Sequence, residues 1–164
     1  MVETYFTTYK SVVRLFFADD IEKLLEREAK LKKSVKSKVS KVESRWKFNL
    51  SEEGQTLIVF PDLWTMFNTS NEAFREHPAV AFLASMQTQN QKDVHRWEIK
   101  KWIKSVILCT YAEIFQDFND LKKIIFVDPH KRYYANQQDP RYKVGDVLEE
   151  MKRLYGAELE TLWV

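Results

Sequence analysis

A lysine-rich segment between Asp20 and Lys47 is the feature that most restricts how this 164-residue chain can fold. Its apolar residues recur at steps of three, four and seven: Leu24, Leu31, Val35, Val42 and Trp46, with Ile21 and Val39 beside them. This spacing places them on one stripe of a helix. We therefore predict an amphipathic helix over residues 20–47, whose apolar stripe is buried against the rest of the chain.

The other sides of this predicted helix are strongly cationic. Between positions 30 and 47 the single acid Glu43 stands against eight cations: Lys30, Lys32, Lys33, Lys36, Lys38, Lys41, Arg45 and Lys47. That stretch carries a charge of +7, whereas the whole chain carries +2, which leaves −5 for all other residues. The sequence thus predicts a cationic helix attached to a mildly acidic body.

Scarce turn residues favour long helices over a sheet of many strands. The chain has 3 glycines and 4 prolines, whereas average usage would give about eleven glycines. Apolar periodicity predicts helices over residues 3–18, 20–47, 78–89, 92–127 and from Gly145 to Gly156. The predicted fold class is mainly α: a single domain (1–164), built as a helical bundle of four or five helices, with a small β-hairpin or extended excursion near residues 48–67. In that excursion Pro61 ends a short β-branched run, and an aromatic cluster of Phe60, Trp64 and Phe67 closes it.

The basic segment suits non-specific contact with the phosphates of a nucleic acid, because each neutralised phosphate releases condensed counterions. We predict phosphate contacts from Lys30, Lys33, Lys36, Lys38, Lys41 and Arg45. A second set lies in a loop where cations alternate with tyrosines, which can stack on bases: Lys131, Arg132 and Tyr133. The alternative is a small protein–protein interaction module, such as an inhibitor or adaptor, whose lysines are merely solvated.

Residues for catalysis or metal binding are sparse in this sequence. His77, His95 and His130 are scattered, no glycine-rich phosphate loop is present, and the one cysteine, Cys109, is expected to be a packed core residue. We expect no catalytic residue, no metal, no cofactor and no small-molecule ligand. A remote alternative is a metal-dependent nuclease, because Pro61-Asp62 and Glu98-Ile99-Lys100 resemble a nuclease motif in letters.

The compartment expected from the sequence is a reducing one. A single cysteine cannot form an internal disulfide, and the first residues do not have the basic and apolar regions of a signal peptide. No apolar stretch approaches the roughly 18 residues of a membrane span. We therefore expect an intracellular protein or a virion component, with no membrane span.

Four short motifs follow one another between residues 44 and 90: Arg45-Trp46-Lys47, Val59-Phe60-Pro61-Asp62, Pro78 to Ala84, and Gln87 to Asn90. Their order resembles a stretch of the tobamovirus-type rod coat proteins. The resemblance implies two N-terminal helices, an extended excursion with a Phe-Pro-Asp turn, and then a helix. It also implies a self-associating coat subunit that packages a genome in a helical assembly.

The chain departs from that family beyond Asn90. The family places arginines around the next loop to hold RNA, whereas this chain has Gln89, Asn90 and Gln91. No RNA-binding residue therefore carries over by position. In composition the chain also resembles coat subunits of filamentous viruses that coat DNA, so the resemblances leave DNA and RNA equally open.

Overall fold

The structure is a computed structural model that describes residues 48–131, 134–136 and 142–164, with the backbone alone for Ala135 and Asn136. The helices predicted over residues 3–18 and 20–47 lie outside the described residues. So do most of the predicted phosphate contacts: Lys30, Lys33, Lys36, Lys38, Lys41, Arg45, Arg132 and Tyr133. Of the predicted site, the described part of the chain contains Lys131.

A five-stranded parallel sheet forms the centre of the described structure. Its strands are β1 (Gln55–Phe60), β2 (Val80–Leu83), β3 (Val106–Thr110), β4 (Leu121–Val127) and β7 (Glu158–Leu162), in the order β2-β3-β1-β4-β7. The short strands β5 (Ala135–Asn136) and β6 (Tyr142–Lys143) pair antiparallel in a separate ribbon.

Four helices accompany the sheet in the described ranges. They are α1 (Leu63–Thr69), α2 (Glu72–Arg75), α3 (Gln89–Lys100) and α4 (Val144–Tyr155), and a 3₁₀ turn at Tyr111–Glu113 follows β3. In this part of the chain no helix has the length and apolar character needed to cross a membrane. The architecture is therefore α/β, and the predicted mainly-α bundle and all-α class are wrong.

The predicted long helix over residues 92–127 is divided among four elements. Its first part belongs to α3, and the rest contains β3, the 3₁₀ turn and β4. Every residue of β3 is buried, and so is every residue of β4 except Lys122. A parallel strand covered on both faces consists of a continuous apolar run. Short runs of this kind fit a helical period as well as a strand, so periodicity misassigned them.

Two further predictions near the resemblance motifs are corrected. The helix predicted over residues 78–89 is the strand β2, and the hairpin predicted near residues 48–67 is the central strand β1 followed by α1. Pro61 ends β1, as the sequence predicted for the run that ends at Phe60, but β1 pairs in parallel with distant strands. The helix that the coat-protein resemblance implies over Pro78 to Ala84 is therefore a strand, and the two N-terminal helices that it implies lie outside the described residues.

The last helix agrees with its prediction. Val147, Leu148 and Met151 are buried on one side of α4. Gly156 ends it with φ 65°, and its N–H donates to the carbonyl oxygen of Lys152. A glycine adopts this left-handed conformation without the steric cost that a Cβ would add. The predicted helix end at this glycine is confirmed.

Helices lie on both faces of the sheet, as right-handed crossovers require. The connection from β1 to β2 runs in one direction along the sheet and the later connections run in the other. We call the side that packs against α1 and α2 the α1 face; it carries Ile58, Phe60, Ile125 and Val127. The opposite side, the α3 face, carries Leu57, Val59 and Ile124 and packs against α3 and α4.

Gln55, fully buried at the start of β1, ties three segments together at the amino edge of the sheet. Its Nε2 donates to the carbonyl oxygens of Ile99 (2.8 Å) and Lys104 (3.0 Å). Its Oε1 accepts from the backbone N–H groups of Asn119 (2.9 Å) and Asp120 (3.1 Å). One amide thereby satisfies four backbone groups, because it has two donors and two acceptor lone pairs.

Replacing Gln55 by leucine removes these four hydrogen bonds. We expect Gln55→Leu to lower the free energy of unfolding by about 2 kcal/mol or more, since each hydrogen bond contributes about 0.5–1.5 kcal/mol. The matched control is Gln116→Leu, because buried Gln116 donates to the carbonyl oxygen of Glu113 and its Oε1 has no hydrogen-bond partner among the described residues. Urea denaturation of both variants measures the difference; equal losses would contradict this role for Gln55.

Candidate functional site

The carboxyl ends of all five strands of the main sheet meet at one edge, the carboxyl edge. The chain leaves β1 toward β2 on one side of the sheet and leaves β4 toward β7 on the other. Ligands of open α/β sheets bind where two neighbouring strands diverge in this way. The carboxyl edge between β1 and β4 is therefore the first place to look for a functional site.

Asp62 follows β1 at this edge and serves as the N-cap of α1. Its carboxylate accepts from the Thr65 backbone N–H at 2.7 Å and from the Thr65 hydroxyl at 3.1 Å. Pro61 ends the strand directly before it, and an aspartate at the N-cap satisfies N–H groups that the helix itself cannot bond. The carboxylate of Asp62 is thus engaged in starting α1.

Asp128 follows β4 at the same edge in a left-handed backbone conformation, with φ 46°. Its buried carboxylate accepts from the backbone N–H of Val164 at 3.0 Å and lies 3.9 Å from the Nζ of Lys131. Aspartate tolerates the left-handed conformation better than most residues. Asp128 therefore fixes both the turn after β4 and the last residue of the chain.

The ring of Tyr134 fills the space between the ends of β1 and β4. Its hydroxyl, which has one proton to donate, lies within hydrogen-bond distance of the carbonyl oxygens of Val59 and Val127. Burial raises the pKa of this hydroxyl, and Cys109, Asp128 and Asp62 raise it further. The crevice that a ligand would enter in other α/β proteins is occupied here by the protein's own neutral side chain.

Exposed aromatic rings lie around this filled crevice. Trp163, just after β7, is 63% exposed and stacks on His130, with ring centroids 5.1 Å apart and planes 18° apart. Trp64, in the first turn of α1, is 76% exposed. The Lys131 side chain, next to His130, is 41% exposed. The carboxyl edge therefore presents flat rings beside a cation to solvent.

A network of charged side chains joins the start of α3 to the 3₁₀ turn after β3. Glu113 pairs with Lys92 and lies 3.7 Å from Arg96, which in turn lies 3.3 Å from Asp93. Two cations face two carboxylates, so the network carries no net charge. Its arrangement holds α3 against the end of β3 and leaves no excess charge for a ligand.

The thiol of Cys109 lies beneath this network and is completely buried in β3. Burial raises its pKa well above the usual value, and the carboxylate of Glu113 raises it further. A thiol of this kind stays protonated near neutral pH and is a poor nucleophile. Cys109 is the packed residue that the sequence predicted, although it lies on a strand rather than on a helix.

The structure does not bring together the residues of the remote nuclease alternative. Asp62 lies at the carboxyl edge, whereas Glu98 and Lys100 lie in the last turn of α3, at the amino edge. The bond from Gln55, the first residue of β1, to the carbonyl oxygen of Ile99 fixes that end of α3. The two parts of the motif therefore cannot converge on one metal ion.

Sequence reasoning missed the exposed tryptophans of this edge. Trp64 was expected to close an aromatic cluster with Phe60 and Phe67, yet it points to solvent. Trp163 drew no prediction at all. The sequence did offer a signal for the carboxyl edge itself. Asp62 and Asp128 each follow an apolar run closely, as side chains at the carboxyl ends of parallel strands do.

Two comparisons with known proteins give no guide to this site. A scan against protein-family models and a search of curated protein sequences both give no match to the chain. The function must therefore be argued from the geometry of the carboxyl edge and from the charge of the sequence.

The pH dependence of the stability of Tyr134→Phe tests whether the buried Tyr134 hydroxyl fills the crevice. Near pH 8 we expect the variant to be less stable than the parent chain by about 1 kcal/mol, because one buried hydrogen bond is lost. The pKa of Tyr134 is raised on folding, so its contribution is complete below the usual pKa of 10.0 and is lost as the pH rises above it. The stability gap then shrinks by about 1.4 kcal/mol per pH unit and closes near pH 11. Urea denaturation from pH 8 to 11 measures this stability gap. A gap that stays constant over this range contradicts the burial of the Tyr134 hydroxyl in the crevice.

Proposed function

We propose that this protein binds nucleic acid without sequence specificity, through contacts to the phosphate backbone. The lysines and arginine of residues 30–47 make the main contacts, and the carboxyl edge of the sheet makes a second set. The observation that carries the proposal is the exposed stack of Trp163 on His130 directly beside Lys131. Aromatic faces next to cations are the combination that non-specific binders of nucleic-acid strands use.

The distribution of charge along the chain supports this proposal. Twelve basic and seven acidic residues precede Phe48, a net charge of +5, whereas 14 basic and 17 acidic residues make up the remainder, a net charge of −3. A concentration of one sign in one segment raises the local concentration of an oppositely charged polymer. The segment before Phe48 is therefore the part of the chain that attracts a polyanion.

Ion pairs within the body also favour a free basic segment. Glu149 lies 3.4 Å from Lys152, Glu150 pairs with Arg153, and Glu160 lies 2.7 Å from Lys123. Carboxylates that already have cationic partners gain less by neutralising further lysines.

The contacts are expected to be electrostatic rather than base-specific. Lysine predominates in residues 30–47, where Arg45 is the one arginine. Lysine binds phosphate as a point charge, whereas reading a base edge depends on the planar fork of arginine or on amide side chains. The proposal therefore includes affinity for many sequences and a steep dependence on salt.

Assembly into a coat and the interaction-module alternative both stay predictions. A coat subunit would form filaments in negative stain when it is mixed with nucleic acid, as the resemblance to rod coat proteins implies. An adaptor or inhibitor would bind a protein partner with little response to added DNA or RNA. A coat subunit would also bind nucleic acid, but the proposed binding does not depend on assembly into a coat.

The lysine contacts are tested by a pair of double variants with the same change in net charge. Lys38→Gln/Lys41→Gln removes two predicted phosphate contacts, and Lys100→Gln/Lys122→Gln removes two exposed lysines at the amino edge. We expect the first variant to reduce the slope of log affinity against log salt by about 1.8 for a duplex, at about 0.9 per lost contact. The second variant should keep the slope of the parent chain.

Fluorescence anisotropy with a labelled random-sequence 30-mer, at several salt concentrations, measures these slopes. Equal loss in the two double variants would mean that net charge alone governs binding. No binding by the parent chain at low salt would overturn the proposed function and leave the interaction module. Either result is independent of whether filaments form.

Trp163→Ala tests the aromatic contribution. Base stacking on an aromatic side chain is worth about 1–3 kcal/mol per base, so we expect affinity for single-stranded DNA to fall by about 5- to 150-fold. Duplex affinity should change little, because paired bases do not offer their faces. The control is Tyr155→Ala, which removes a half-exposed ring at the end of α4, remote from the carboxyl edge. An equal loss for single strands and duplexes would contradict stacking on Trp163.

A further inference from the structure

The described helices of the α1 face have their principal contacts with one half of it. The principal contacts of α1 are with β1 and β3, and those of α2 are with β2. The principal helical partner of β4 and β7 is α4, which packs on the opposite, α3 face. Among the described helices, none therefore has its principal contacts with the β4–β7 half of the α1 face.

The residues of this half are nevertheless buried. Ile125 is 1% exposed and Val127 is 0% exposed, and Leu162 of β7 packs partly buried beside them. Beside this apolar patch, the Nζ of buried Lys123 lies 2.7 Å from Glu160. Burial of this extent on the central strands of a sheet requires a covering layer.

The chain enters the described structure on this same face. Phe48, the first described residue, stacks on Phe74 of α2 and contacts Phe60 of β1 edge-on, with both pairs of ring centroids 6.2 Å apart. Leu50 packs against the same apolar cluster. Phe48, to which the preceding residues are joined, therefore lies on the α1 face.

We propose that the apolar stripe of residues 20–47 packs on the β4–β7 half of the α1 face, against Ile125, Val127 and Leu162. The stripe (Leu24, Leu31, Val35, Val42 and Trp46) supplies the apolar side chains that this face needs. A sheet face and a helix stripe that are each apolar are stable only when they are buried against each other or against another partner. The occupant is thus a segment of the same chain.

The dimensions agree with this occupant. A helix over residues 20–47 would be about 42 Å long at 1.5 Å per residue. The seven residues of β4 span about 23 Å. The part of the segment nearest to Phe48, roughly residues 33–47, is therefore long enough to cross the sheet, while the part before it extends past the edge.

This packing turns the cationic side of the segment away from the sheet. At 100° per residue, Lys33 and Ser37 lie opposite Val35 and Val42 on a helix. If the stripe faces Ile125 and Val127, those opposite positions face solvent. The docking does not depend on the proposed binding of nucleic acid, because it concerns only how the apolar stripe is buried.

Thiol labelling of the full-length chain tests the proposed docking. A cysteine introduced by Ile125→Cys lies on the α1 face, and one introduced by Ile124→Cys lies on the α3 face, which α4 covers. Each is combined with Val35→Asp, which places a charge in the stripe, or with Ser37→Asp, which places the same charge on the opposite side. The parent chain, in which Cys109 is buried, gives the background rate.

We expect both introduced thiols to react slowly with a maleimide when residues 20–47 are unchanged. Val35→Asp should accelerate labelling at position 125 at least tenfold and leave position 124 slow, and Ser37→Asp should change neither. Rapid labelling at position 125 without Val35→Asp, or equal rates in the two aspartate variants, would overturn the proposal. Nucleic acid is absent from this measurement, so its outcome is separate from that of the proposed function.

If Val35→Asp exposes both thiols through global unfolding, the milder pair Val35→Ala and Ser37→Ala replaces it. Truncation of a buried valine weakens packing without adding a charge. Faster labelling at position 125 in Val35→Ala than in Ser37→Ala supports the docking. Equal labelling in these two variants overturns it.

Discussion

The burial of β1 on both of its faces is the constraint on which the rest of the structure depends. All six residues of the strand are buried, and its backbone is hydrogen-bonded to β3 on one side and to β4 on the other. Apolar side chains alternate between the two faces of a strand. Ile58 and Phe60 therefore need one covering layer and Leu57 and Val59 need another, which makes a layer on each side of the sheet necessary.

The described helices cover the α3 face of the sheet more completely than the α1 face. On the α3 face, α3 and α4 cover the sheet, together with the segment after β3. On the α1 face, α1 has seven residues and α2 has four. At 1.5 Å per residue these helices are about 10 and 6 Å long, much shorter than the seven residues of β4, which span about 23 Å. Because the helices of this face are short, we propose that residues before Phe48 complete its covering layer.

Local signals were sufficient to predict some elements of this fold. The end of α4 followed from Gly156, and the end of β1 followed from Pro61, because each effect acts within one or two residues. The pairing of β1 with β3 and β4 joins positions about 50 to 65 residues apart. Nothing in a run such as Val106–Thr110 distinguishes a buried strand from a short piece of a buried helix. The error in fold class arose there.

The candidate site shows the same division between local and distant information. Lys131 was predicted from the alternation of cations and tyrosines around it. Trp163 could not be, since its position beside His130 depends on the pairing of β7 with β4, which brings the end of the chain to the carboxyl edge. A residue whose role depends on a contact more than 30 positions away has no local signature.

The two proposals for residues 20–47 place compatible demands on one helix. Covering the α1 face requires the stripe that contains Val35 and Val42, and contact with phosphates requires the side that contains Lys33. These positions lie on opposite sides of a helix, so burial of the first set presents the second set to solvent. Lysines near the boundary between these two sides can still place their ammonium groups in water, because the long aliphatic stem of a lysine can lie along an apolar surface. Under these two proposals, the need for a core on the α1 face accounts for the orientation of the cationic side of residues 20–47.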